Sequence, residues 1–406
     1  ESAVAFTKAS VSLVCSWPPS SNASPLQNIR FRVYWWIGLV ILVQLFLPLL
    51  RGIWVSRNNV EVVVKVVLLS SATAQALIKL VLCRYQRDRL RSLYEDMEFF
   101  LKNAKPFERA ILQRYVDRSM NFYGLVGGCI YLACLGFVLE PIILSHSFPT
   151  DASYPFDVKF HPLHEILYLL QILAIFHIAS ALFIDTQVAI LLWFTSARFE
   201  MLGEEFENAT NINRLKYCIK KHQKILTYAE DVKIATKFIA LATMATTTIG
   251  ILCGGLTLIG RQPLSVKIRV GNVVANAIVE LFVYAWPADN LIEMVRLSII
   301  YQIPSKYHSF SFSLHIFQVM IPFNVRVCEQ QSQNIGNRAY RSGWIGQPIG
   351  MLKSIVNVVQ RSQKPAIIAV NGFLPALSLS QYVSFLSSSL SYFTTLRVVY
   401  GTDRAE

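Results

Sequence analysis

Apolar side chains run almost unbroken through seven stretches of this chain, at about residues 33–50, 60–83, 120–144, 163–195, 234–259, 270–289 and 374–398. Each is close to the roughly 20 residues a helix needs to cross about 30 Å of hydrocarbon, so the pattern predicts an all-α membrane protein with seven transmembrane helices. The interruptions are informative. Lys65 and Lys79 fall inside the second stretch, and Asn272, Asn276 and Glu280 inside the sixth; polar groups at such depth face a bundle interior rather than lipid. The connecting residues 90–112 and 202–226 mix charged and apolar positions in the manner of amphipathic helices. Such helices either project from the membrane or lie flat among the headgroups.

The last stretch differs from the other six. Ser378, Ser380, Ser384, Ser387, Ser388, Ser389, Ser391, Thr394 and Thr395 crowd it with hydroxyls, and in hydrocarbon each of these needs an internal partner or a wet cavity. Two arrangements satisfy them: packing with bonds to carbonyls one turn back, or a water-filled pore. Ser384, Ser388, Ser391, Thr395 and Val398 share one face at helical spacing, and this face is predicted to meet an ion path.

Composition agrees with the pattern. With 53% hydrophobic and only 16% charged residues, the chain is unlike a soluble enzyme of its length. The net charge of +13 invites a nucleic-acid reading, yet the cations are not spread over a surface. They gather in the connection after the second helix (Arg84, Arg87, Arg89, Arg91, Lys102, Lys105, Arg109) and again after the fourth (Arg198, Arg214, Lys216, Lys220, Lys221), whereas residues 145–162 carry Lys159 against Asp151 and Asp157. Lys and Arg accumulate on the cytoplasmic side, so the N-terminus is predicted cytoplasmic and the C-terminus extracellular. Topology and anionic lipid then account for the basic excess without nucleic acid.

This orientation is the reverse of a G-protein-coupled receptor, the rival seven-helix class. No Asp/Glu-Arg-Tyr follows the third helix and no Asn-Pro-x-x-Tyr lies in the seventh. The glycosylation acceptors Asn22 and Asn208 fall on the predicted cytoplasmic side, so neither is expected to carry sugar. All seven cysteines fall in predicted helices or on the inner side, and no disulfide framework is implied. No catalytic constellation or phosphate-binding glycine loop is present, and His161, His164 and His177 have spacings that do not converge on a metal. The chain is therefore read as neither an enzyme nor the holder of a cofactor or metal.

Several short motifs, taken in order, carry a resemblance to a known family. They are Trp17-Pro18-Pro19 before the first helix, Tyr154-Pro155-Phe156-Asp157 before the fourth and Tyr284-Ala285-Trp286-Pro287-Ala288-Asp289 closing the sixth. Ala339-Tyr340-Arg341-Ser342-Gly343-Trp344, Leu377-Ser378-Leu379 and Ser391-Tyr392-Phe393-Thr394-Thr395-Leu396-Arg397 follow. The chain resembles the insect odorant receptors over nearly its whole length. The resemblance implies an odorant-binding subunit of a ligand-gated, non-selective cation channel, heterotetrameric with a shared co-receptor, in the plasma membrane of olfactory neuron dendrites. A gustatory-type homomeric channel and a non-functional splice product remain alternatives.

In that family the outer halves of helices two, three, four and six enclose the odorant. Followed along the predicted helix directions, the walls here are Val67, Ser71, Cys134, Phe137, Val138, Tyr168, Ile172 and Phe176, with Val273 or Val274, of which Val274 is preferred. A small, mostly apolar volatile suits such a lining. The resemblance further implies that the last helix lines the pore for monovalent and divalent cations, with Thr395 at or beside a constriction usually formed by a small aliphatic residue; a hydroxyl there dewets less strongly. Tyr340 and Trp344 would belong to a cytoplasmic anchor between subunits.

The expected layout is a cytoplasmic segment (1–32), six helices with the pocket (33–289), the anchor region (290–373), and the pore helix with a short outer tail (374–406). One segment departs from the family pattern. Removing residues 294–330 restores a continuous Leu-Ile-Glu-Gln-Ser-Gln-Asn-Ile-Gly-Asn-Arg-Ala-Tyr. The inserted residues have no helical or strand period and their longest apolar run is broken by His315 and Pro322. A retained in-frame intron is the favoured expectation, a receptor-specific loop its rival. The first residue, Glu1, is not methionine, which suggests a trimmed N-terminus.

Overall fold

Helices make up all the regular structure that the computed structural model describes, over residues 2–144, 148–158, 160–209, 211–259, 264–300, 349–362 and 379–402. In chain order they are α1 (Ser2–Ser10), α2 (Pro25–Val55), α3 (Val60–Tyr85), α4 (Arg87–Asn103), α5 (Pro106–Leu144), α6 (Leu163–Glu207), α7 (Ile212–Ile259), α8 (Leu264–Ile300), α9 (Ile349–Ser362) and α10 (Leu379–Thr402). Tyr340, Trp344 and most of the 294–330 segment lie outside the described residues.

Among the described residues six helices, α2, α3 and α5 to α8, are long and apolar enough to cross a membrane. With its hydroxyls, α10 occupies the place of the seventh predicted span. Local chemistry sets the helix starts. Ser24 caps α2 through a reciprocal box with Gln27 (3.3 and 3.2 Å) ahead of Pro25, and Asn59 caps α3 by accepting from the Val62 amide, each relieving amides that have no partner within the helix.

Helices α5, α6 and α7 contain 39, 45 and 48 residues. At 1.5 Å per residue they reach about 58 to 72 Å, roughly twice the hydrocarbon thickness, and so extend well beyond it. The amphipathic segments at 90–112 and 202–226 are not continuous helices, however. The chain breaks at Ala104, whose backbone is extended; the next residue, Lys105, precedes Pro106 and is disfavoured in helical geometry for that reason, so the helix does not resume before the proline. It breaks again between Glu207 and Ile212, where the Asn211 side chain accepts from the Arg214 amide at 2.9 Å.

Where α6 ends and α7 begins, Phe199, Leu202 and Phe206 meet Leu215, Cys218 and Ile225, and Ile355 of α9 closes the cluster. Ion pairs bind its margin: Lys221 lies 2.6 Å from Glu205 and 3.6 Å from Glu108, and Glu200 receives Arg114 (3.1 Å) and the Tyr115 hydroxyl (2.6 Å).

Residues 2–32 are not a loose tail. Val11 and Val14 are buried in the main core, the Ser16 hydroxyl donates to Gln187 of α6 at 2.7 Å, and Ser180 donates to the Ser10 carbonyl at 2.6 Å. Trp17 stacks on Tyr94 of α4 with ring centroids 4.0 Å apart, while Arg91 donates to the Pro19 carbonyl. The Trp-Pro-Pro motif thus ties the N-terminus to α4, whose apolar stripe Leu90, Leu93, Tyr94 and Met97 is buried.

Candidate ligand cavity and the hydroxyl face of α10

Between α3, α5, α6, α7 and α8 lies a cavity of about 160 Å³, comparable with an engineered apolar protein cavity of about 150 Å³ that holds benzene. Its walls are mostly apolar: Leu68 and Leu69 of α3, Val126, Ile130 and Phe137 of α5, Ile175, Ile178 and Leu182 of α6, Gly250 of α7, and Val270 and Val273 of α8. One end is formed by Pro149, Thr150 and Asp151 with Lys65, the other by Gln75, Asp185, Thr247 and Glu280. Thr150 is held in place by its amide and hydroxyl, both donating to Gln171 Oε1 at 3.2 and 2.8 Å.

The polar end is a buried ion network. Lys79 Nζ lies 2.7 Å from Asp185 Oδ2 and 2.7 Å from Glu280 Oε1, with Lys79 fully buried. Gln75 also donates to Glu280 Oε1, and Thr247 donates to Oε2 at 3.4 Å. Three spanning helices, α3, α6 and α8, are therefore joined by charge where water is scarce.

Of the predicted wall residues, Ser71, Cys134 and Phe137 line this cavity. Val67, Val138, Tyr168, Ile172, Phe176 and Val274 are not among its lining residues. Val138 packs against the main core, Tyr168 lies against His164, and Val274 faces α7 at Gly254. Four of the six sit directly beside a residue that does line it: Leu68, Phe137, Ile175 and Val273. One residue is about 100° of helical rotation, and on helices apolar all round the sequence offers no marker of phase. Asp185, Gln75 and Thr247 were not singled out from the sequence at all; an ionisable residue inside each of three apolar stretches was the available signal. Of the three histidines, His177 Nδ1 lies 2.8 Å from the Leu173 carbonyl, and His161 Nδ1 lies 2.5 Å from Glu165.

α8 passes the cavity on to α10. The Tyr382 hydroxyl donates to the Ile278 carbonyl at 3.3 Å, and its ring meets Phe282 edge-on at 5.9 Å; Ile278 and Phe282 flank Glu280. Tyr382, Phe385, Leu386 and Ser389 turn toward α7 and α8, whereas Ser384, Ser387, Ser388, Ser391, Thr394 and Thr395 are exposed. Ser388 and Thr395 bond to carbonyls one turn back, at 2.8 and 2.9 Å, the first of the two arrangements expected for these hydroxyls. Val398 lies on the same helix. Beneath the network, Trp286 of the Tyr-Ala-Trp-Pro motif packs on Phe122 and Trp193, and Trp193 donates to the Tyr123 hydroxyl at 3.0 Å.

The α7–α8 seam beside the cavity is tight. A Cβ added at Gly254 would stand 2.2 Å from Val274 Cγ2, and a β-branched valine has little rotamer freedom with which to yield. Gly254→Ala is expected to destabilise the detergent-solubilised protein by about 1–3 kcal/mol, with Val274→Ala restoring most of the loss. An unchanged melting temperature in Gly254→Ala would refute the close packing.

Long apolar helices around a mostly apolar cavity with a buried charged floor define a polytopic helical membrane protein. The chain belongs to the 7tm odorant receptor family, whose pattern matches residues 59–303. It is similar to odorant receptor Or2 of Anopheles gambiae, 23% identical over 342 residues that cover 78% of this chain and 79% of the mosquito protein. Over a shorter stretch of 71 residues, 18% of this chain and 19% of the relative, it is 39% identical to odorant receptor 30a of Drosophila melanogaster. Its fold matches the olfactory receptor OR5 of Machilis hrabei, solved alone (TM-score 0.77, 15% identity, 98% of this chain and 99% of that one) and in complex with eugenol (0.76, 16%, 98% of each). These relationships make it a membrane receptor rather than an enzyme.

Proposed function

We propose that the chain is the odorant-binding subunit of an odorant-gated, non-selective cation channel that works with a shared co-receptor in the plasma membrane of olfactory dendrites. The observation that carries this reading is the two-sided α10: one face is packed on α7 and α8, and the rest is exposed and rich in hydroxyls, with Leu390 and Tyr392 among them. Four such faces around an axis make a wet conduit for monovalent and divalent cations. The N-terminus is cytoplasmic and the C-terminus extracellular in this reading, so the α6–α7–α9 cluster is cytoplasmic and belongs, with Tyr340 and Trp344, to the subunit anchor.

A small apolar odorant enters the cavity past Asp151, and its presence shifts α8. Because Ile278 and Phe282 touch Tyr382, that shift reaches α10 without a further intermediary. Ser71, Cys134 and Phe137 are the predicted wall residues best placed to touch the odorant.

Whole-cell current against an odorant panel, with and without the co-receptor, tests the proposal in the intact chain and in one lacking residues 294–330. Current only with the co-receptor supports the heteromeric channel. If only the trimmed form conducts, the insert is an unspliced intron; robust current from the intact form makes it a genuine loop. A co-receptor-independent response that disappears when G-protein signalling is blocked would overturn the reading.

A further inference from the structure

A second and larger cleft lies between α1, α4, α5 and α6, with a volume of about 910 Å³, inside the range of about 300–1,000 Å³ common to small-molecule sites. Its walls are mostly apolar, with Val4, Leu101, Leu112, Val116, Ile190 and Phe194 among them, and Arg109 is the single ionised side chain that lines it. Arg109 is exposed and donates to the Lys102 carbonyl at 3.4 Å; it has no carboxylate partner among the described residues. Along α5 the lining runs from Arg109 to Gly124. At that far end the cleft is open, since a Cβ placed on Gly124 would meet nothing within 4 Å.

Two lengths decide what fits. From residue 109 to residue 124 a helix rises about 22 Å, and an extended chain advances about 1.2 Å per bond, so the cleft takes one chain of about 16 to 18 carbons. Arg109 also stands about 16 Å along α5 from the start of its apolar run near residue 120. Headgroups occupy only about 5–8 Å on each side of the hydrocarbon. A two-chain lipid anchored in its leaflet therefore does not bring its phosphate to this guanidinium, whereas a free single-chain amphiphile does.

We propose that this cleft binds a long-chain fatty acid, its carboxylate paired with Arg109 and its hydrocarbon laid along α5 towards Gly124. The guanidinium fork matches a carboxylate with two parallel hydrogen bonds, and one cation neutralises one carboxylate. The site is distinct from the ligand cavity, which at about 160 Å³ is of a size for benzene. The two share a wall, however: Thr186 lines both. Trp193 and Tyr123, also in the cleft wall, are hydrogen-bonded to each other and to the Val283 carbonyl of α8, so a bound chain rests on residues tied to that helix.

Thermal melting of the purified full chain in phosphatidylcholine nanodiscs tests this without current, co-receptor or odorant. Palmitate, hexadecan-1-ol and dipalmitoyl phosphatidylserine are compared by the concentration that gives half-maximal stabilisation. Palmitate is expected to act at about tenfold lower concentration than the alcohol, the usual worth of a hydrogen bond to a charged group, and phosphatidylserine to give no comparable effect. Arg109→Gln is expected to bring palmitate to the level of the alcohol. Gly124→Leu keeps every charge but fills the far end, and is expected to weaken palmitate by about tenfold or more as methylenes lose their place. The first variant changes an exposed side chain and the second enters open space with a better helix former, so both are expected to fold. Equal potency of palmitate and the alcohol in the parent, a comparison that needs no variant, would overturn the proposal. So would phosphatidylserine as potent as palmitate, or a palmitate effect that both variants leave intact.

Discussion

Replacing Lys79 by methionine is expected to remove most of the protein from the cell surface. The substitution takes the cation away from Asp185 and Glu280 in a buried interior, where Gln75 and Thr247 still donate to Glu280. Taking one partner from a buried ionic set costs about 3–5 kcal/mol, because the survivors stay desolvated without compensation; in a membrane bundle, water is even less able to help. That is a large part of the 5–15 kcal/mol by which typical folded domains are stable. The damage is not local, since the network joins α3, α6 and α8, three of the five helices around the cavity.

The same reasoning gives the control. Combining Lys79→Met with Asp185→Asn and Glu280→Gln removes all three charges at nearly constant volume, and buried ionic sets are often replaced by neutral ones with little loss. The triple variant should regain much of the surface level lost in the single one, measured by labelling an outward-facing tag. Parent-like surface expression of Lys79→Met would show that the network does not hold the helices together. A triple variant as poor as the single one would show that shape, not charge compensation, is what Lys79 supplies.

Cysteine placed on the exposed face of α10 is expected to make the channel sensitive to externally applied cationic thiol reagents. Ser388→Cys and Ser391→Cys should lose most of their odorant-evoked current on treatment, irreversibly until a reductant is added. Ser389→Cys should not. The contrast rests on one residue of helical rotation: Ser388 is exposed, whereas Ser389 is 2% exposed against α7 and α8. A hydrated thiol forms the reactive thiolate, and one sealed among apolar side chains does not. Because Cys129 is exposed in the parent, the untreated chain with its natural cysteines is the baseline. Equal modification of positions 388 and 389, or block at 389 alone, would place the pore on a different face.

The cavity illustrates how far one-dimensional information reaches. The resemblance points to four of the five helices that build it and leaves out α7, and four of the six predicted positions that miss the lining lie one residue from it, whereas Tyr168 and Ile172 lie further away. Leu68 rather than Val67, Phe137 beside Val138, Ile175 rather than Phe176 and Val273 rather than Val274 line the chamber. These alternatives are equally apolar, and a helix buried all round carries no polar stripe to set its phase. Where a polar stripe exists, as on α4 and α10, the sequence indicates the face directly. The breaks at Ala104 and after Glu207 were hidden for a related reason: the amphipathic pattern continues on both sides of each turn, so the period does not reveal that the chain has reversed.

The sequence by itself determined the all-helical membrane class, the positions of the spanning helices, the asymmetric charge of their connections and the hydroxyl face of α10, because each is a property of neighbouring residues within one helix. Only the tertiary structure decided that Lys79, Asp185 and Glu280 meet, that Tyr382 couples the cavity wall to α10, and that Trp17 fastens the N-terminus to α4. These contacts join residues about 80 to 200 positions apart, and their geometry depends on helix rotation and crossing, which close packing of whole helices sets and no local pattern encodes.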